Sequence, residues 1–204
     1  ASALVKGTMT KYRKVANSTG LTGEEAARRI LQNEGLYDVT VVCLQESDGD
    51  HYDPRNKAVY LSYENYHYAT VTAVAVAAHE CGHAIQHAQN YSPLSLRSAM
   101  VPVVNLASNL GMPLIFVGVL FSWNMVLIQL GIWAFALAVL FQLVTLPVEF
   151  NASYRAVGKI SQYGLLTEWE NAGTKRVLTA AALTYVAAAA SSILQLLRLI
   201  ILFG

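Results

Sequence analysis

Two histidines four residues apart with a glutamate between them carry the clearest chemistry in this chain: His79-Glu80-Cys81-Gly82-His83. On a helix such a pair shares one face across ~6 Å of rise, so two imidazoles can converge on one metal ion at ~2.0 to 2.1 Å. Glu80, next to the first ligand, is angled to hold a metal-bound water and take its proton. The pattern points to zinc-dependent hydrolysis, which needs a third protein ligand and an open fourth position. His87 continues the series 79, 83, 87, but eight residues span ~12 Å of helix, too far for both end imidazoles to reach one ion. It reads as a supporting or surface residue. The position ten after the first histidine is Gln89, so the longer three-histidine spacing is absent. The remaining carboxylates to consider are Glu149, Glu168 and Glu170. Glu149 is the best placed, because it follows a long uncharged run directly, at a membrane boundary where an acidic residue needs a partner. Cys81 reads as a small buried filler, since a fourth protein ligand would close the site.

The zinc motif requires a helix. Thr22-Gly-Glu-Glu25 has the spacing of a capping box and Gly35 is placed to end the amphipathic helix that follows, from about Gly23 to Glu34. Val39 to Leu44 is β-branched, Asp53-Pro-Arg-Asn56 is turn-forming, and Ala58 to Leu61 follows it, which predicts a hairpin. Ser62 then caps, directly or after a short turn, a long helix to about Gln89 that buries Ala73 to Ala78 and carries the zinc motif in its C-terminal half.

Composition places these elements beside a membrane. Of 204 residues only 13% are charged and 54% are hydrophobic, with a mean hydropathy of +0.38. No Asp, Glu, Lys, Arg or His occurs from Ser98 to Val148, or from Val177 to Leu197. The first run is long enough for two spans, roughly Ala99 to Phe121 and Met125 to Leu146, with Ser122 to Asn124 as the turn; Val177 to Phe203 makes a third. Nine of the 14 Lys and Arg lie between Lys6 and Arg97 and four between Arg155 and Arg176. Two intervening spans bring both groups to one face, predicted cytoplasmic. The expected division is 1–97 as a catalytic segment, 98–148 as a transmembrane hairpin, 149–176 as the segment of the third ligand, and 177–204 as a C-terminal transmembrane helix. The fold class is then a mainly α membrane protein with a zincin-like catalytic helix and a small β-hairpin. A net charge of +1 gives no case for nucleic-acid binding. Two cysteines are too few for a disulfide framework, so a reducing compartment is expected.

Several segments together carry a resemblance: His79-Glu-Cys-Gly-His-Ala-Ile-Gln-His87, Asp50-His-Tyr-Asp-Pro54, Leu21 to Ile30, Glu149-Phe-Asn-Ala-Ser153 and Val177 to Val186. Over nearly its whole length the chain resembles the YugP family of bacterial neutral zinc metallopeptidases. More distantly it is similar to the heat-shock and CAAX-prenyl membrane metalloproteases, whose third ligand is a Glu in a Glu-x-x-Ala-Asp run. The resemblance implies His79, His83 and Glu149 as zinc ligands and Glu80 as the base, in the bacterial cell membrane. Asn151 stands where an acidic residue is expected and Ser153 replaces the final Asp of the distant relatives, which bears on how the histidines are oriented. Family members usually begin with a further membrane helix. Only Ala1 to Val5 precede Lys6 and the chain does not start with Met, so that span is expected to have been removed or processed.

The expected reaction is peptide-bond hydrolysis by zinc-activated water with Glu80 as general base. Ala58 to Leu61 is the natural edge for an extended substrate. Tyr154, Arg155 and His51 are alternatives for oxyanion stabilisation. Expected partners are a protein or peptide substrate and membrane lipid; a membrane-protein partner or a homo-oligomer is also compatible. Asn151 and Ser153 support a second reading, a membrane interaction or chaperone-type subunit with a structural or vestigial metal site. A third is hydrolysis of a non-peptide amide, because the motif fixes the water chemistry and leaves the acyl group open.

Overall fold

The computed structural model describes residues 2–45 and 49–203. Among them the chain is mainly helical, with one three-stranded sheet: α1 Ser2–Arg13, α2 Gly23–Asn33, β1 Thr40–Leu44, β2 His51–Asp53, β3 Ala58–Ser62, α3 Tyr63–His67, α4 Val71–Ala88, α5 Ser92–Leu120, α6 Met125–Gln162 and α7 Glu168–Phe203. It divides into two compact units. One comprises the residues up to Tyr91 with Glu149–Thr184, the other Ser92–Val148 with the residues from Tyr185 onward.

In the first unit, α2 starts as the sequence predicts. Thr22 Oγ1 accepts from the Glu25 amide at 3.2 Å and Glu25 accepts from the Thr22 amide at 3.0 Å. Gly35 ends the helix with φ +73°, the left-handed conformation that glycine adopts without penalty. The apolar face of α2, with Ala26, Ala27 and Ile30 fully buried, packs against α4. α4 is buried almost all round, from Val71 to Gln86 apart from Val76 and His79, as expected of a central helix rich in small apolar residues.

The strands pair differently from the expected hairpin. β1 runs parallel to β3, with Thr40 opposite Ala58, while the antiparallel partner of β3 is β2, with His51 opposite Tyr60. The turn explains this. Asp53 accepts from the Arg55 amide and the Asn56 side chain, each at 2.8 Å, and Lys57 takes φ +47°. So short a reversal folds β3 back onto the residues immediately before it, which leaves the other side of β3 for β1 to pair with in parallel. Consequently β3 is the central strand and not an edge. The helix after Ser62 is also divided. Ser62 makes no side-chain cap, α3 ends at an extended Tyr68, and Thr70 both bridges to Ala16 and caps α4 through Oγ1, which accepts from the Ala73 amide at 3.1 Å.

The second unit holds apolar stretches of α5, α6 and α7, among the described residues the three helices long and apolar enough to cross a membrane. α5 turns into α6 through Ser122 and Trp123, both with positive φ, and Asn124 Oδ1 then accepts from the Val126 and Leu127 amides at 3.1 and 3.3 Å. The two helices meet at glycines. A Cβ on Gly131 would come within 2.6 Å of the Gly111 carbonyl oxygen, the close backbone approach typical of helices packed in lipid. Large apolar side chains face outward, among them Leu106, Phe116 and Trp133.

Candidate metal centre

α4 and α6 supply the site. His79 and His83 lie one turn apart on α4, and Glu149 comes from α6. Their candidate ligand atoms all fall within 4.8 Å of one another. Glu149 Oε2 is 3.2 Å from His79 Nε2 and 3.7 Å from His83 Nε2. The side chains of Glu149, His83 and His79 are 4%, 10% and 15% exposed, so the cluster is largely enclosed and His79 is its most accessible member. Glu80 is buried beside it, at 7% exposure, close enough for its charge to act on His83.

A glycine lets the two helices close on one another. At Gly82 a Cβ would lie 2.6 Å from the Ala152 carbonyl oxygen, so any side chain there would push α6 away from α4. Glu149 stands one turn before Ala152, and its reach to the histidines depends on that approach. Val148, Ala152 and Ala156 form the buried stripe that seats this part of α6.

Each imidazole is held by its other nitrogen. His83 Nδ1 lies 3.0 Å from Gln86 Oε1, and His79 Nδ1 lies 3.2 Å from Ser153 Oγ. An amide oxygen only accepts, so His83 carries its proton on Nδ1 and keeps Nε2 free to ligate. Gln86 is fully buried, and its amide donates to Asn151 Oδ1 at 2.9 Å. Arg155 Nε donates to the same oxygen at 2.7 Å and Nη1 to Gln89 Oε1 at 2.7 Å. Ser153 and Asn151, the two departures from the acidic pattern, thus belong to the network that orients the histidines. Burial by itself lowers the pKa of His83; the Glu149 hydrogen bond and the charges of Glu80 and Glu149 outweigh it, and the net shift is upward.

The other sequence candidates lie elsewhere. His87 Nδ1 bonds the Tyr52 hydroxyl at 2.9 Å, outside the cluster. Glu168 is exposed, and Glu170 is engaged by Ser18 and Thr167. Cys81 is fully buried against the Ala27 carbonyl, and burial pushes its thiol pKa far up, as expected of an inert filler. His51 stacks on Tyr60 and bonds the Gly49 carbonyl at 2.8 Å, and Tyr154 is 80% exposed. Gln86 and Gly82 have no role in the sequence reading. The signals were there: Gln86 lies one turn beyond His83 on the same face, and Gly82 is a glycine inside a helix, where backbone freedom serves no purpose but room for a close neighbour does.

The donor set fits zinc. It offers two imidazole nitrogens with fixed tautomers or contacts at Nδ1 and one buried carboxylate, the N and O ligands of three-ligand catalytic sites. Comparison with known proteins agrees with this chemistry. The family described as "Putative neutral zinc metallopeptidase" matches residues 1–204. The chain is 49% identical over 199 residues to the "Putative membrane protease YugP" of Bacillus subtilis (strain 168), covering 98% of this chain and 88% of that protein. No solved structure matches. The shared sequence therefore runs through both units and both helices of the histidine-carboxylate cluster, and the chain belongs to the neutral zinc metallopeptidase family.

Proposed function

We propose that this protein is a membrane-bound zinc-dependent metalloendopeptidase in which His79, His83 and Glu149 hold the ion and Glu80 moves the proton. The observation that carries this reading is the convergence of the three donors beside a buried Glu80. When bound, zinc supplies Lewis acidity, bringing the pKa of water to about 7 and polarising a scissile carbonyl. Glu80 accepts the proton of the attacking water and returns it to the leaving amine. Gln86 and Ser153 hold the histidines from behind, so their Nε2 atoms stay aimed at one point. The exposed side of His79 gives the substrate its approach.

Substrate backbone cannot pair with β3, whose two sides are taken by β1 and β2. The outer edge of β2 has no strand partner among the described residues, and Tyr52 of that strand already touches α4 through His87. We assign the extended substrate to this edge. Ser153 also lines a cavity of about 330 Å³ with Phe150, Tyr154 and Leu178, suited to an apolar side chain. The distribution of Lys and Arg supports a cytoplasmic active site in a bacterial cell membrane. The chaperone-type alternative draws its support from Asn151 and Ser153, and the hydrogen bonds of both within the histidine network favour the peptidase reading over it.

The test is Glu80→Gln assayed on an unfolded protein. Hydrolysis should fall by at least about 100-fold while one zinc per chain is retained. A zinc-replete wild-type protein that cleaves nothing, or cleaves no faster than the variant, would overturn the peptidase reading.

A further inference from the structure

We propose that α1 and the polar start of α7 form a binding site for the phosphate of an anionic membrane lipid. The site contains none of the three candidate metal ligands and does not rest on their chemistry, although Lys175 and Thr179 also line the neighbouring cavity beside Ser153. A cavity of about 520 Å³ opens between the two helices, and three cations line it: Lys11 from α1, Lys175 and Arg176 from α7. None of the three forms an ion pair with a carboxylate among the described residues. Like charges gathered around one cavity repel, and an anion bound there relieves that repulsion.

The wall between them is fixed. The buried Tyr12 ring meets α7 at Gly173, where a Cβ would lie 2.8 Å from a ring carbon. Its hydroxyl accepts from Arg176 Nη1 at 3.4 Å, and Lys11 Nζ stands 5.7 Å from its ring centroid. Tyr12 therefore contacts two of the cations, one at its hydroxyl and one at its ring.

Position favours a lipid over a soluble anion. Lys175 and Arg176 are the last charges before the uncharged run from Val177 to Leu197, on a helix of membrane-spanning length and apolarity. The cavity wall continues onto that run through Thr179, Ala180 and Leu183. It changes from cationic to apolar within about two helical turns, matching a phosphodiester followed by glycerol and the first methylenes of acyl chains. Free phosphate would engage only the cationic end, and an acidic peptide leaves the apolar end unmatched.

Native mass spectrometry of the full chain, purified in a neutral detergent with added phosphatidylglycerol or phosphatidylcholine, reads the retained lipid. The wild type should keep phosphatidylglycerol in preference to phosphatidylcholine, and the triple variant Lys11→Gln, Lys175→Gln, Arg176→Gln should lose at least about tenfold of it. Removing equal charge elsewhere, with Arg29→Gln, Arg55→Gln and Lys57→Gln, should leave retention unchanged, as should the charge-preserving Lys11→Arg, Lys175→Arg, Arg176→Lys. Equal retention of the two lipids, equal loss in the site and control variants, or loss in the charge-preserving variant would overturn the proposal. Displacement of the lipid by millimolar inorganic phosphate would overturn the lipid assignment in favour of a free phosphate, and displacement by a Glu-rich peptide would do so in favour of a protein partner.

Discussion

The two units of this protein obey opposite burial rules. In the first, apolar side chains are inside, with Ile30, Leu61, Val74 and Ile85 at 2% exposure or less, and three of the buried polar groups, Gln86, His83 and Glu149, contact one another across the candidate metal cluster. In the second, Leu106, Phe116 and Trp133 are 63%, 68% and 74% exposed on helices without a charge between Ser98 and Val148. Water organises the first unit by expelling apolar surface. Lipid gives no such drive to the second, whose helices instead approach at Gly111, Gly118 and Gly131 and hydrogen-bond through Gln142 and Ser192 at 2.9 Å. A large exposed apolar residue therefore means a different thing in each.

The severest break of that contrast is to remove the lipid-facing hairpin. Replacing 98–148 with a soluble linker should abolish stoichiometric zinc, measured by elemental analysis, along with membrane attachment by that segment; retained zinc would mean that the polar segments assemble the cluster unaided. A matched pair of substitutions then compares the two media directly. Trp133 and Tyr37 are 74% and 81% exposed, one in each unit. Trp133→Lys should cost about 2.5 to 3.5 kcal/mol in membrane insertion. Tyr37→Lys should change thermal stability by no more than about 0.5 kcal/mol. Equal costs would mean that α6 does not face hydrocarbon at this position. Within the first unit, Gln86→Ala frees His83 Nδ1 and should weaken zinc affinity by about 10 to 100-fold in chelator competition. Ser153→Ala should do less, because the His79 ring is also held beside the His83 ring, with centroids 4.8 Å apart.

The smallest effect expected is that of pH. The folded pKa of His83 lies above its ordinary value of 6.5. In metal-free protein the protonated imidazole facing Glu149 thus stabilises the fold fully below about pH 6.5, and that contribution is lost as pH rises through the folded value. The Tm of the metal-free form should fall over this window, while zinc affinity rises in the same direction because proton and metal compete for Nε2. A Tm that instead rises with pH between 6 and 8 would show that the His83–Glu149 contact does not stabilise the metal-free protein.

Much of this was legible along the chain because it is local. The capping box at Thr22 and Glu25, the stop at Gly35, the apolar runs and the four-residue spacing of His79 and His83 each depend on neighbours a turn or less away. Glu149 was legible for another reason, as the first charge after an uncharged run. The strand pairing was not. Val39 to Leu44 and Ala58 to Leu61 both look like strands, but whether they run parallel depends on which residues the Asp53 turn folds back first, and β2 is too short to show a pattern. The break at Tyr68 was hidden likewise, since it depends on Thr70 pairing with Ala16, far earlier in the chain.

The sequence by itself determined the chemistry on offer and the medium: a pair of imidazoles and a carboxylate of the right types, and helices too apolar for water. Side-chain identity and helical period are sufficient for that. Only the tertiary structure decided which groups meet. The approach of Gly82 to Ala152 brings Glu149 to the histidines, Gln86 and Ser153 take the Nδ1 atoms in place of carboxylates, and Tyr12 stands against Gly173 with the cations of two distant helices around one cavity. Such contacts are set by how closely backbones can pack, and no pattern within a single segment records the distance to another.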